Sequence, residues 1–385
     1  MKFIIGIIGT GAMGAGIAQV AATYGCKVLL HDTNVAMLEK AIVGINHSLT
    51  KLVEKGKFNN NEQAAILSNI TSHQNLEDLR GCNMIIEAIV EDLAVKQKVF
   101  SALEHLVSDE CILASNTSSL SIASIAAACK NKERVIGIHF FNPAVLMPLV
   151  ELIPALTTSQ KVFDESLSVI KSWGKVTVKA KDTPGFIVNR LARPYYGEAI
   201  KIYEEGMADF ATIDYAMKTL GGFKMGPFEL MDFIGNDVNY RVTETVWQQF
   251  FYDARYRPSL TQKRLFEAGL YGRKSGKGYY DYSVAEMPQP SKDEALSKKI
   301  FMRIIAMLIN EAAEALLLQI GTREDLDSAM VKGVNYKQGL LKWADEIGID
   351  EILNELNELH QWFGDDRYRP SVLLKQKAKE GSKFF

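Results

Sequence analysis

The first apolar run of the chain is short, "FIIGII" at residues 3–8, and it ends in glycines. A polar-flanked helical stretch follows, then a second apolar run, "KVLL", which closes on an acid at Asp32. Four later runs have the same character: "NMIIEAI" (83–89), "CILAS" (111–115), "RVIGIHF" (134–140) and "KVTVKA" (175–180). Such runs alternating with helical spacing predict buried parallel strands joined by helices, a doubly wound α/β domain ending near residue 183. Residues 34–67 predict one or two long charged helices, more than a crossover needs. Beyond residue 184 the spacing changes to the helical period, as in "NRLARPYYGEAIKIYEEG" and "YRVTETVWQQFF".

The first turn carries chemistry. "GTGAMG" sets Gly9, Gly11 and Gly14 as G-x-G-x-x-G between a strand and a helix, with Asp32 at the end of the next strand. Gly9 permits the tight turn, Gly11 lets a pyrophosphate approach the backbone, and Gly14 lets helix and strand pack closely. The helix N-terminus offers unpaired N–H groups to phosphate. Asp32 would accept hydrogen bonds from ribose hydroxyls and repel a 2′-phosphate, which points to NAD rather than NADP.

Composition narrows the remaining classes. With 44 basic and 46 acidic residues among 385, the net charge of −2 argues against a nucleic-acid binder. No apolar run has membrane-spanning length. Cys26, Cys82, Cys111 and Cys129 show neither CxxC nor metal-ligand spacing, so no metal is expected, and they read as buried fillers in a reducing compartment, the cytoplasm.

The polar linker "VAEMPQPSKDEA" follows the helical segment, and then the helical pattern returns. "ARYRPS" at 254–259 recurs as "DRYRPS" at 366–371; "GEAIKIYEEGMADFATIDYAM" (197–217) is echoed at 310–330, and "FKMGPFELMDFIG" (223–235) at 336–348. The offset of 112–113 residues predicts a duplicated helical domain. The expected organisation is a nucleotide-binding domain at 1–183, a helical domain at 184–283, a linker at 284–296 and a degenerate second helical copy at 297–385. The second copy has Met302 where the first has Asn189.

One histidine stands apart. His139 lies in "GIHFFNP", inside an apolar run, where it could be a satisfied core residue or a group that moves a proton. The segments "GIIGTGAMGAGIAQVAA", "ILASNTSSLSI", "GIHFFNPAVLMPLVELI", "DTPGFIVNRL", "MGPFELMDFIG" and "GRKSGKGYYDY" occur in one order along residues 4–282. In these the chain resembles the L-3-hydroxyacyl-CoA dehydrogenase family, which includes 3-hydroxybutyryl-CoA dehydrogenases.

The resemblance implies a Rossmann-type domain followed by helical domains. It also implies NAD-dependent interconversion of (S)-3-hydroxyacyl-CoA and 3-oxoacyl-CoA, in fatty-acid metabolism such as β-oxidation. It makes His139 the general acid–base, Glu151 its orienting partner, Ser118 a hydrogen-bond donor to the oxygen on C3, and Asn189 a contact to the same region. It adds Glu91, Lys96, Lys274, Asn116 and Asn142 to Asp32 on the cofactor side, and Ser48 and Lys55 for the CoA moiety. These types suit the reaction: an imidazole titrates near neutrality and a carboxylate on its other nitrogen steadies the charged ring. The alternatives are a relative acting on another hydroxy substrate, such as a sugar acid, and a non-catalytic structural relative. The second helical copy is expected to cover the first within one chain, an internal pseudo-dimer that would leave the protein monomeric, with a homodimer as the alternative.

Overall fold

The computed structural model describes residues 3–385. The chain divides into two compact units, Met1–Thr183 and Pro184–Phe385.

The first unit is built on eight strands: β1 (Ile4–Ile8), β2 (Lys27–His31), β3 (Ile70–His73), β4 (Met84–Glu87), β5 (Ile112–Ser115), β6 (Val135–Phe140), β7 (Leu149–Pro154) and β8 (Val176–Lys179). Their order in the sheet is β3-β2-β1-β4-β5-β6-β7-β8. β7 runs antiparallel to β6; the other pairs are parallel. β3 and β7 are additional to the apolar runs read from the sequence, because β3 ("ITSH") is half polar and lies at the sheet edge. The helices are α1 (Ala12–Thr23), α2 (Val35–Glu54), α3 (Asn60–Ser68), α4 (Leu93–Leu106), α5 (Ile122–Ala126) and α6 (Gln160–Ser172). Ile5, Ile7, Val28, Leu30, Ile86 and Ile138 of the strands pack with Ile17, Ala18 and Ala21 of α1 in one core. Asn34 caps α2, Asp92 caps α4 and Ser159 caps α6, each by accepting a backbone N–H in the first turn. The strand order reverses between β1 and β4, and an open α/β sheet places its binding crevice at such a reversal, beyond the C-terminal strand ends.

The second unit is helical: α7 (Val188–Leu191), α8 (Arg193–Glu204), α9 (Phe210–Gly221), α10 (Pro227–Ile234), α11 (Asn236–Gln249), α12 (Leu260–Glu267), α13 (Glu294–Leu317), α14 (Arg323–Gly333), α15 (Leu340–Ile347), α16 (Ile349–Phe363) and α17 (Val372–Glu380). The segments 184–283 and 297–385 pack into one compact unit. The reason is α13, whose residues from Met302 to Ala313 are all buried and which packs against α8 and α9 as well as α15, α16 and α17. A helix apolar on nearly every side must be surrounded. In the first segment the corresponding stretch is broken into α7 and α8 ahead of Pro194, which lacks an N–H and cannot continue a helix from α7; Met307 stands at the equivalent place in α13.

Several contacts occur twice at the repeat spacing. Asp214 accepts the N–H groups of Phe228 and Glu229, and Asp327 those of Leu341 and Lys342. Asp232 accepts from Tyr279 and Tyr280, and Asp345 from Phe384 and Phe385. Between the segments the contacts cross reciprocally. Arg190 Nε meets Glu311 at 2.5 Å and Arg303 Nε meets Glu198 at 2.5 Å. Tyr256 Oη donates to Glu311 at 2.6 Å and Tyr368 Oη to Glu198 at 2.8 Å.

Candidate active site

The glycine turn follows β1. Gly9 has φ +94°, and a Cβ there would stand 2.6 Å from the carbonyl oxygen of Ala88. A Cβ on Gly14 would stand 1.9 Å from the carbonyl oxygen of Gly9, so the start of α1 lies against the turn. A Cβ on Gly11 would meet nothing within 4 Å, which leaves that backbone open to a ligand. Asp32, after β2, accepts from Thr10 N–H at 3.1 Å, Thr10 Oγ1 at 2.8 Å and Asn34 N–H at 3.0 Å. Burial pushes its carboxyl up, but the hydrogen bonds from Asn34 and Thr10 outweigh that and hold it below the usual carboxylate range. A cavity of 860 Å³ opens here, with Gly9, Gly11, Asp32, Met37, Val90 and Val99 on its walls. Its largely apolar walls, bare glycine backbone and the Asp32 carboxylate suit the adenosine half of a dinucleotide.

After β4, Glu91 is gripped from two sides. Its Oε1 accepts from Thr117 Oγ1 at 2.5 Å, Ser118 N–H at 3.1 Å and Ser119 Oγ at 3.1 Å. Its Oε2 lies 3.3 Å from Lys96 Nζ. Burial raises the Glu91 carboxyl; the Lys96 charge and these hydrogen bonds outweigh it and lower it overall. Lys96 is only 1% exposed, and its Nζ donates to Glu87 at 2.7 Å. Lys96, expected on the cofactor side, is held between two carboxylates and so positions Glu91. Glu87, fully buried, also accepts from Ser115 Oγ and Ile89 N–H.

His139 ends the inward part of β6, and its register partner on β7 is Glu151. Nδ1 meets Glu151 Oε2 at 2.7 Å. The carboxylate is fully buried and the imidazole is 6% exposed, its ring tilted against Phe141 with centroids 4.5 Å apart. Asn116 Oδ1 accepts the N–H of Phe140 at 2.8 Å, tying the turn after β5 to the histidine strand. This makes Asn116 a strut in this structure. Asn142 is exposed and precedes Pro143.

The glycine turn, Glu91, the Ser118 turn and His139 thus all stand at the C-terminal ends of parallel strands of one sheet. Residues 4–183 match the family described as 3-hydroxyacyl-CoA dehydrogenase, NAD binding domain, and residues 185–282 and 300–383 match its C-terminal domain. The chain belongs to the 3-hydroxyacyl-CoA dehydrogenase family. It is 36% identical to the 3-hydroxyadipyl-CoA dehydrogenase of Escherichia coli (strain K12), over 97% of both chains. It is 43% identical to the human mitochondrial hydroxyacyl-coenzyme A dehydrogenase, over 72% of this chain and 90% of that one. The crystal structure of 3-hydroxybutyryl-CoA dehydrogenase from E. coli K12 superposes with a TM-score of 0.94 at 34% identity, covering 99% of each chain. The protein is an NAD-dependent dehydrogenase of 3-hydroxyacyl-CoA.

Other family positions lie elsewhere in the structure. Asn189 sits on α7 of the helical unit, just after Gly185 (φ +74°) and Phe186 (φ +47°), two successive left-handed residues. Asp182 of the same "DTPGF" stretch accepts the N–H groups of Ile122 and Ala123 at the start of α5. Lys274, also in the helical unit, is paired with Asp237 at 2.5 Å. Ser48 is half-buried in α2 and Lys55 is exposed at its C-terminal cap. Thr10, Glu87 and Thr117 were not singled out from the sequence. Glu87 was visible there as an acid within the apolar run "NMIIEAI", a pattern that announces a buried charge with a partner. No helix among the described residues is long and apolar enough to cross a membrane.

Proposed function

We propose that His139 exchanges the proton of the substrate's C3 hydroxyl while hydride leaves C3, and that the reverse reaction uses the same group as acid. The observation that carries this is the buried 2.7 Å contact of His139 Nδ1 with Glu151. With Nδ1–H donated to the carboxylate, proton exchange falls to Nε2, and Glu151 steadies the imidazolium that forms on oxidation. Ser118 donates to the C3 oxygen, its backbone anchored by Glu91. Asn189, on α7 after the left-handed Gly185–Phe186 turn, is the proposed contact to the same region of the substrate. Gly9, Gly11, Gly14 and Asp32 hold the dinucleotide; when bound, it supplies the two-electron acceptor for the C3 hydride. Ser48 and Lys55, seven positions apart on α2 and its cap, take the CoA moiety, Lys55 by its charge. We assign Lys274 an indirect role through Asp237.

We infer further that residues 297–385 are a second copy of 184–283, supported by the reciprocal Arg190–Glu311 and Arg303–Glu198 pairs. The second copy covers the first within one chain, so the protein acts as a monomer. Four buried, free cysteines suit the cytoplasm.

The experiment is NADH oxidation with acetoacetyl-CoA, longer 3-oxoacyl-CoA esters and 3-oxoadipyl-CoA. A distal carboxylate is included because the 3-hydroxyadipyl-CoA dehydrogenase matches over the whole chain. Turnover with none of them would overturn the reading.

A further inference from the structure

A cavity of 290 Å³ lies in the helical unit, and nothing in the dehydrogenase reaction accounts for it. Its walls include Gly197, Lys201, Arg257, Ser259 and Arg367. The repeat shows what ordinarily fills such a place. Gly197 corresponds to Asn310, whose side chain donates to the carbonyl of Arg369 at 3.0 Å and accepts the N–H of Ser371 at 2.7 Å. Arg257 and Ser259 are the equivalents of Arg369 and Ser371, but a Cβ on Gly197 would meet nothing within 4 Å. The polar plug of the second copy is missing from the first.

The charge is reversed as well. Arg255 stands 3.9 Å from Glu314 and donates to the Arg369 carbonyl at 2.9 Å. Its equivalent is Arg367, and the residue at the place of Glu314 is Lys201. Arg367 is 4% exposed, and its Nε has no hydrogen-bond partner. Its anionic neighbours are Glu198 at 3.8 Å and Asp365 at 3.6 Å. Both are engaged more closely elsewhere: Glu198 with Arg303 at 2.5 Å, Asp365 with Arg257 at 2.9 Å. The carboxylate on the wall itself is Glu204, which accepts from Thr261 Oγ1 at 2.9 Å and lies 4.0 Å from Lys201. Asp365 is shared between Arg257 and Arg367, Glu198 is held by Arg303, and Glu204 is the carboxylate on the wall, so the buried Arg367 guanidinium borders an open space with its carboxylate partners no closer than 3.6 Å.

We propose that this cavity, bounded by Gly197, Lys201, Arg257, Ser259 and Arg367, binds a small doubly charged oxyanion of the phosphate type, free or as the end of a phosphate ester. The Ser259 N–H and the Arg367 guanidinium supply donors, and Lys201 and Arg257 supply charge. The site is separate from the dehydrogenase chemistry and does not depend on it.

The test restores the second copy's residues in the full-length chain, as Gly197→Asn with Lys201→Glu. Titration calorimetry with inorganic phosphate and with glycerol 3-phosphate, at constant ionic strength set by chloride, is expected to show one saturable site in the unaltered protein. The double variant should weaken it at least tenfold, with NADH-dependent turnover unchanged. Lys201→Met, a milder change, should weaken it severalfold and carries the test if the double variant folds poorly. Tighter binding of the ester would identify an esterified ligand, and tighter binding of phosphate the free ion. Absence of saturable binding, or equal binding in the unaltered protein and the variants, would overturn the proposal.

Discussion

His139 and Glu151 are register partners across β6 and β7, the antiparallel pair of an otherwise parallel sheet, and their side chains meet at 2.7 Å. Opposed residues in an antiparallel pair project to the same face, so the strand pairing alone brings imidazole and carboxylate together. Replacing His139 by Gln should lower kcat by about 10²–10⁴-fold, the ordinary worth of a general acid–base. The Kd for NADH, read by fluorescence titration, should stay within about twofold. A variant keeping more than half of the turnover would end the assignment.

Glu151→Gln keeps the size of the partner and removes its charge. The imidazolium that forms on oxidation then loses its charge partner, so kcat should fall in both directions of reaction. Steady-state rates measured for oxidation and for reduction check this; an unchanged kcat would place Glu151 outside the chemistry.

Asp32 remains ionised because Thr10 and Asn34 hold its carboxyl below the usual range. A 2′-phosphate brought beside it would meet repulsion of roughly 1–4 kcal/mol, which corresponds to about fivefold to a thousandfold preference for NADH over NADPH. Asp32→Ser should narrow that ratio in kcat/KM. Equal use of both cofactors by the unaltered protein would contradict the reading.

Glu91 is lowered by Lys96, Thr117 and Ser118 against the cost of its burial. A carboxyl lowered on folding contributes stability above its unfolded-state value, and that contribution is lost as pH falls through the folded value. Acidification through and below the ordinary carboxylate range, from about pH 5 to about pH 3, should therefore lower Tm less steeply in Glu91→Gln than in the unaltered protein. The variant should also lose turnover, since the Ser118 turn loses its anchor. Parallel Tm curves would show that Glu91 is not coupled to folding.

Glu311→Gln removes the carboxylate paired with buried Arg190, whereas Glu198→Gln leaves Arg303 its second carboxylate, Glu205, at 2.6 Å. Breaking one member of a buried pair costs about 3–5 kcal/mol. Glu311→Gln should therefore fall further in denaturant midpoint than Glu198→Gln. Deleting residues 297–385 strips Arg190 of Glu311 altogether, and the shortened chain should dimerise or aggregate on sedimentation.

Much of this was legible in the amino-acid order. The glycine turn, Asp32, the strand runs and the return of the helical pattern are local or periodic features, and a chain announces those through spacing alone. The company that charged side chains keep was decided by the tertiary structure. Lys96 is paired with Glu87 and Glu91, which arrive from the end of β4 and the loop beyond it. The two helical segments close into one unit because α13 is buried along most of its length and charges of each segment are answered by the other. Burial makes an unpaired charge too costly to leave, and which partner stands nearby depends on packing between segments about a hundred residues apart, which no local pattern encodes.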